Sequence, residues 1–550
     1  MQTFSQWPET QARLLRWVLL IAWALLILSL LLPALRLPDA WLPACPASDP
    51  GCQLHGQPGN RVFWGVVVPA GVLLIVLISH ELWRRICPLA FVSQLFRALG
   101  RQRTRPGKGG RPEVVRVSAD SWLGRHHLQL QWSLLIAGLC LRLLALNSSP
   151  LGLALLLLLT LSAALVVGWA YAGKAWCQYV CPMAPVQMLL TGPRGPLGST
   201  AHLGTRSRIT QSMCRTIADS GREQSACVAC QAPCLDIDAE RAYWQMIAGK
   251  RGLSWAWYSY PGLVWGFFLL LEASQPPGLT QRSGLSYLRS GLWAHDLDLS
   301  RRLLAPFSAL LPWPRLLVVP ALLVLAGWLS VGLFRLLETR LQALHAGQGI
   351  REAATLATSR SRLLASFAAV NLFFWFVDPS QGVLGPYAGQ LLRSLVLVST
   401  GIWLYRGWAR DPAAYRREST SESLRRQLRD RPGLEQALDG RSLEELSPQE
   451  VFTLAKALPA LDQQQAREIY RDVLADMLRT GRLERAQLLL QLQDLRESLG
   501  LQDQDHHEAV DLLVQEQPEL LRLDRRQRQI DDLRREAVAE ALEDLMATAG

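Results

Sequence analysis

The sequence predicts an all-α membrane protein with about eight transmembrane helices, a cysteine-rich loop among them and a soluble helical domain at the C-terminal end. Three observations carry this. Half of the 550 residues are apolar, and they fall in blocks of about 20, the length of helix that crosses a bilayer core. Arg and Lys crowd some of the connecting segments and are scarce in others. From Asp411 onward the composition changes to Leu, Glu, Gln, Arg and Asp.

The first span is expected at 14–35; its apolar block, Trp17 to Leu32, is flanked by Arg13 and Arg16 and followed by Pro33 and Pro38. It exceeds a signal-peptide core and a second block follows it, so it reads as a retained helix. The remaining spans are expected at 62–82, 128–147, 151–171, 256–273, 316–337, 363–378 and 389–407. Lipid cannot satisfy backbone groups, which leaves helix as the form for such segments. The seventh is short and ends near Asp378-Pro379, and the eighth carries Arg393. Trp17, Trp64, Trp132, Trp255 and Trp408 lie near block ends, as in an interfacial aromatic belt.

Charge sets the orientation. From Arg84 to Arg125 there are ten Arg and Lys against Glu113 and Asp120, and the loop 172–255 is also basic. The positive-inside rule puts both segments on the cytoplasmic side. An even number of spans then puts both termini there too. Segments 36–61 and 274–315 fall opposite, although Arg282, Arg289, Arg301, Arg302 and Arg315 make the second less clean. The bases flank apolar blocks with no interleaved stacking stripe, so the lipid bilayer, and no nucleic acid, is the expected partner.

The expected domains are a polytopic membrane domain at 1–410, the cysteine loop 172–255 within it, and a soluble all-helical domain at 411–550. The last carries 20 Lys and Arg against 29 Asp and Glu. Ala466–Leu478 and Ala486–Leu499 show apolar residues at helical spacing. Ser447-Pro448-Gln449-Glu450 has the pattern of a helix start, with Ser as N-cap, Pro at the first position and Glu at N3. The domain reads as a docking or regulatory module.

There are ten cysteines. Cys45 and Cys52 lie in a proline-broken loop on the far side, where oxidising conditions favour a disulfide. Cys177, Cys181, Cys214, Cys227, Cys230 and Cys234 share the basic loop. Thiols stay reduced on that side, which points to metal binding or redox chemistry. Cys227, Cys230 and Cys234 can wrap one metal corner, and Cys214 is the nearest fourth ligand. Four thiolates suit an iron–sulfur cluster and equally a tetrahedral zinc ion. Two further segments weigh towards the cluster: Trp83-Arg84-Arg85-Ile86-Cys87-Pro88-Leu89-Ala90 and Trp176-Cys177-Gln178-Tyr179-Val180-Cys181-Pro182-Met183-Ala184. Each ends an expected helix pair in Cys-Pro, an apolar residue and Ala, which has the form of an internal repeat.

The C-x3-C-P motif of Cys177 and Cys181, placed after a span and before a cysteine cluster, resembles that of membrane-bound 4Fe–4S ferredoxin-type proteins. The resemblance covers roughly residues 60–240. The family includes membrane ferredoxin components of periplasmic nitrate and nitrous-oxide reductase systems and an accessory protein of cytochrome oxidase assembly. It implies a bacterial plasma-membrane electron carrier, or an assembly-factor reductase, with a [4Fe–4S] cluster and a membrane or cytoplasmic redox protein as partner. The sequence departs from the family pattern of C-x2-C-x2-C-x3-C-P. It has one copy, spaced Cys227-x2-Cys230-x3-Cys234 and followed by Leu235, and Trp83 stands where the first repeat would have its first cysteine. One cluster on Cys214, Cys227, Cys230 and Cys234 is expected. A second, on Cys87, Cys177 and Cys181, needs a non-cysteine ligand, since Cys140 lies inside the third span.

Arg206, Arg208, Arg215 and Arg222 are placed to offset the negative charge of a cluster. His80, His126 and His127 read as interfacial anchors, and Asp236 and Asp238 as helix-capping or solvated. No phosphate loop, H-E-x-x-H or nucleophile elbow occurs, so no catalytic residue is assigned. Three functions stay open: electron transfer, assembly or docking of a redox complex, and a zinc-stabilised scaffold.

Overall fold

The computed structural model describes residues 7–32, 62–78, 80–106, 112–146, 149–195, 214–217, 223–225, 234–236, 238–249, 254–273, 314–350, 352–377, 386–429, 440–443, 445–457, 463–479 and 495–518, with single positions 59, 227, 228, 230, 438, 492 and 493. Cys45 and Cys52, and with them the expected disulfide, lie outside the described residues, as do Arg206, Arg208 and Arg222.

Helix dominates. Helix α1 (Glu9–Leu31) is followed by Phe63–Ile78, in which α2 (Val68–Leu73) lies between two π-helical turns. Then come α3 (His80–Ile86), α4 (Pro88–Val92), α5 (Leu95–Ala98) and a hairpin of β1 (Thr104–Pro106) and β2 (Pro112–Val114). Helix α6 (Trp122–Leu141) continues as a π-helical turn to Leu146 and precedes α7 (Pro150–Ala170), the π-helical turn Trp176–Val180 and α8 (Ala184–Thr191). A second hairpin, β3 (Arg215–Ile217) and β4 (Glu223–Ser225), leads to α9 (Ala239–Gly249). The rest is α10 (Ser254–Ala273), α11 (Pro314–Gly347), α12 (Ala353–Phe376), α13 (Pro386–Trp408), α14 (Pro412–Leu428), α15 (Pro448–Ala457), α16 (Gln463–Arg479) and α17 (Asp503–Glu516).

Among the described residues, each segment expected to span is helical over most of its length. Four helices among the described residues are long and apolar enough to cross a membrane: Glu9–Leu31, Trp122–Leu146, Pro150–Ala170 and Leu316–Gly347. Phe63–Ile78 is apolar but shorter. Trp, Tyr and Ser dilute α10, Arg360 and Arg362 interrupt α12, and Arg393 and Arg406 interrupt α13. The outward faces of the long helices are apolar, with Leu155, Leu159 and Val166 exposed on α7 and Val324, Trp328 and Leu333 on α11. Faces of that extent suit lipid better than water.

The chain divides into two compact units. One comprises residues 7–198 and 247–409, the other chiefly 199–246 and 410–550. In the first, α1 meets α7 through Ile27, Leu30, Leu153, Ala154 and Leu157. Helices α10 and α11 touch backbone to backbone, since a Cβ on Gly262 would stand 2.2 Å from the Ala326 carbonyl oxygen. Small residues permit such approaches where lipid offers no hydrophobic drive between helices. Helix α12 starts at Ala353, ten residues before the expected span, because its charges find partners. Arg362 lies 4.5 Å over the Trp257 ring and donates to Ser254 Oγ at 3.1 Å. Arg360 lies 4.9 Å over Trp408.

In the second unit, α14 to α17 enclose one apolar core that includes Leu424, Leu428, Val451, Ile469, Val473, Leu474, Leu495 and Leu513. The expected helix start is present at α15. Ser447 N–H donates to Glu450 Oε2 at 2.7 Å, and Glu450 N–H donates to Ser447 Oγ at 3.3 Å.

Candidate functional site

Four of the expected ligands lie in the second unit. The β3–β4 hairpin pairs Arg215 with Ser225 and Ile217 with Glu223 in antiparallel register. Cys214 precedes that ladder by one residue and Cys227 follows it by two, so the hairpin closes the gap in sequence between them. The two thiols hydrogen-bond, and Cys227 also feels Cys230 and Cys234 electrostatically. Cys230 and Cys234 are buried. The Cys214 hydrogen bond, followed by burial, pushes the Cys227 thiol well above its ordinary range. Burial, followed by the Asp236 carboxylate, does the same to Cys234. As thiols these groups are inert, and a metal must displace their protons to bind.

The end of this loop is braced. Asp236 N–H donates to the Cys234 sulfur. Asp238 caps α9 by accepting from Arg241 N–H at 2.9 Å, the capping role expected of it, and also accepts from Tyr415 OH at 3.0 Å. Glu240 accepts from Arg410 Nε at 2.6 Å and from Trp244 Nε1 at 3.1 Å.

The other three expected ligands lie in the first unit, near enough to act on one another electrostatically. Cys87 has φ −53° and ψ 122°, and Cys181 has φ −56° and ψ 121°. The N–H of each closes the preceding helical turn, Cys87 onto Trp83 and Cys181 onto Trp176, both at 2.9 Å. The sulfur of each accepts two backbone N–H groups of the turn that follows, from Leu89 and Ala90 in one copy and Met183 and Ala184 in the other. The turn after each cysteine is therefore built the same way twice, whereas the turn before it differs: the Cys87 N–H bonds four residues back and the Cys181 N–H five, in a π-helical turn.

The two copies converge. Cys177 feels both Cys181 and Cys87, and Cys181 feels Cys87. Arg84 and Lys174 are the cations acting on Cys87 and Cys177. Lys174 Nζ donates to the Arg84 carbonyl at 3.4 Å, and Arg84 Nη1 donates to Gln187 Oε1 at 3.3 Å. Burial pushes Cys181 up to about 12 and raises Cys87 and Cys177 as well. Trp83, at the place of the missing cysteine, instead packs against an apolar cluster that includes Val72, Val76 and Val186. Sequence reasoning had not assigned Arg84 and Lys174 to the thiols. Each lies three residues before a cysteine of its own copy, Arg84 before Cys87 and Lys174 before Cys177, a local signal, whereas the reach of Lys174 to Cys87 and of Arg84 to Cys177 comes from the fold.

The chain matches no family model, no curated protein and no solved structure.

The donor chemistry of the loop, four cysteines with two of them buried, fits a thiolate-ligated centre. Among the described residues, however, no three His, Cys, Asp or Glu side chains converge tightly enough to hold one metal ion. Zinc at its usual bond length of about 2.3 Å draws its sulfurs to within about 4 Å of each other. An iron–sulfur core is wider than a single ion. Of the histidines, His126 Nδ1 bonds to the Trp122 carbonyl and His127 Nδ1 to that of Gly124, as anchors at the start of α6.

Proposed function

We propose that this protein is a membrane-bound iron–sulfur electron-transfer protein that exchanges electrons with a partner complex at the bacterial plasma membrane. The observation that carries this is the contact of Cys214 with Cys227 across one hairpin, with Cys230 and Cys234 near enough to act on Cys227 electrostatically. In this reading the eight helical segments all span, and the termini and both basic loops are cytoplasmic. A bound [4Fe–4S] centre supplies one-electron redox chemistry. The chain's own residues hold its sulfurs, exclude water around Cys230 and Cys234, and direct the Asp236 N–H at one ligand.

A second reading is an assembly or docking protein for a membrane redox complex. It is favoured by the acidic helical unit that braces the loop through Arg410 and Tyr415. A deletion strain separates the two readings. Intact partner complexes with impaired electron flow indicate transfer, and loss of a complex from the membrane indicates assembly.

The direct test is metal content. Purified anaerobically, the protein should absorb broadly at roughly 400 nm and bleach with dithionite. Replacing any of the four loop cysteines with Ser should remove most iron from that site, because Ser is a poorer ligand for soft centres. Loss of about half the iron on replacing Cys177 or Cys181 would mean a second centre in the first unit. Iron that survives every change while zinc is lost would end the electron-transfer reading.

A further inference from the structure

We propose that the β1–β2 hairpin and the turn before it form a seat for anionic phospholipid headgroups. The segment reads Leu99-Gly100-Arg101-Gln102-Arg103-Thr104-Arg105-Pro106. It is fixed to the end of α7. Gln102 Nε2 donates to the Gly168 carbonyl at 2.9 Å, and Arg103 N–H donates to the Trp169 carbonyl at 3.1 Å. Val115 N–H donates to the Arg103 carbonyl at 3.2 Å, and Ala172 N–H to that of Val115 at 2.8 Å. Ala170 is the last residue of α7, one of the helices able to cross a membrane. The hairpin is therefore held at the level where an apolar helix ends, which is headgroup depth.

The charge at that level is positive and uncommitted. Arg101, Arg103 and Arg105 are exposed. None of them forms an ion pair among the described residues. Glu113 stands opposite Arg105 in the hairpin register and offsets one charge in part. Apolar side chains share the same end of the unit. Leu99 and Trp122 are more than half exposed, Trp169 nearly so, and Leu123 and Val167 join one cluster there, which ties the start of α6 to the end of α7. Guanidinium forks match phosphate oxygens, and exposed Trp and Leu suit the boundary between headgroups and acyl chains. A soluble polyanion would gain from the arginines but nothing from the aromatic rim or the depth.

The proposal rests on the membrane-crossing reading of the apolar helices and is independent of the iron–sulfur centre. Each Arg at an anionic surface strengthens attraction about five-fold, so three should give a preference of up to roughly a hundred-fold at low salt, less as salt screens it. The test is native mass spectrometry of the full chain in detergent with equal phosphatidylglycerol and phosphatidylcholine. Phosphatidylglycerol should be retained preferentially. The Arg101→Gln, Arg103→Gln, Arg105→Gln variant should lose that preference at least ten-fold, the corresponding Lys variant should keep most of it, and Arg335→Gln with Arg340→Gln on α11 should keep all of it. No preference in the parent chain, or an unchanged one in the triple Gln variant, overturns the proposal. So does displacement of the lipid by millimolar inorganic phosphate, which would make the seat a free-anion site. Resistance of the chain to alkaline carbonate extraction checks the membrane reading separately.

Discussion

Arg410 holds two carboxylates at once, with Nε at 2.6 Å from Glu240 and Nη1 at 2.6 Å from Glu418. Glu240 is almost wholly buried, and that guanidinium lies against it. Arg410→Gln should destabilise the second unit by about 3 kcal/mol, the low end for stranding a buried charge. Thermal unfolding of the purified protein should show that unit melting several degrees lower. An unmoved transition would mean that Trp244 and solvent suffice for Glu240. The repeat puts Trp83 in register with Cys177, yet it serves a hydrophobic cluster, so one copy of the motif kept a thiol where the other kept a core residue.

Among the described glycines, the closest approach to a neighbouring element is at Gly168, where α7 meets the turn after α4. A Cβ on Gly168 would fall 1.8 Å from the Ser93 carbonyl oxygen, so Gly168→Ala must push the two apart, at a cost of about 1–3 kcal/mol. The Cys87 turn runs directly into that contact, and its displacement should raise labelling of Cys87 and Cys181 by a membrane-permeant maleimide. Unchanged labelling would separate the thiols from this packing. In the second unit, the α15 start depends on Ser447 and Glu450. Ser447→Ala should cost about 1 kcal/mol. Hydrogen bonds from Ser447, then from Arg441, hold the Glu450 carboxyl at about 2, below its ordinary 4.5. A group depressed on folding stabilises above its unfolded value, so this contribution is complete above about pH 4.5 and fades as pH falls towards 2. Denaturation of parent and Ser447→Ala proteins at pH 7 and pH 3 should show the difference between them shrinking in acid.

For the whole molecule, the basic segments at 84–125 and 172–255 define the proposed topology. Reporter fusions at Gly110 and Gly550 should read cytoplasmic and one near Asp49 should read outside. A periplasmic signal at Gly110 would reverse the orientation and remove the argument that the loop thiols are reduced. The core of the second unit is drawn from residues 424–513, so a fragment of residues 411–550 should be soluble and helical by circular dichroism. Disorder in isolation would make residues 199–246 part of its folding nucleus.

Sequence alone determined what local free energy dictates. Apolar blocks become helices because backbone groups have no other partner in lipid. Ser447 and Glu450 mark a helix start because the bonds they make span three residues. The two Cys-Pro turns were legible because each is built from its own neighbours. Tertiary structure alone decided which distant groups meet. It brought Cys87 to Cys177 and Cys181, set Lys174 beside them, joined Cys214 to Cys227 through a hairpin register, and extended α12 around a buried Arg362. Such contacts follow from closing long stretches of chain against packed neighbours, and no local pattern of residue types encodes which closure is lowest in free energy.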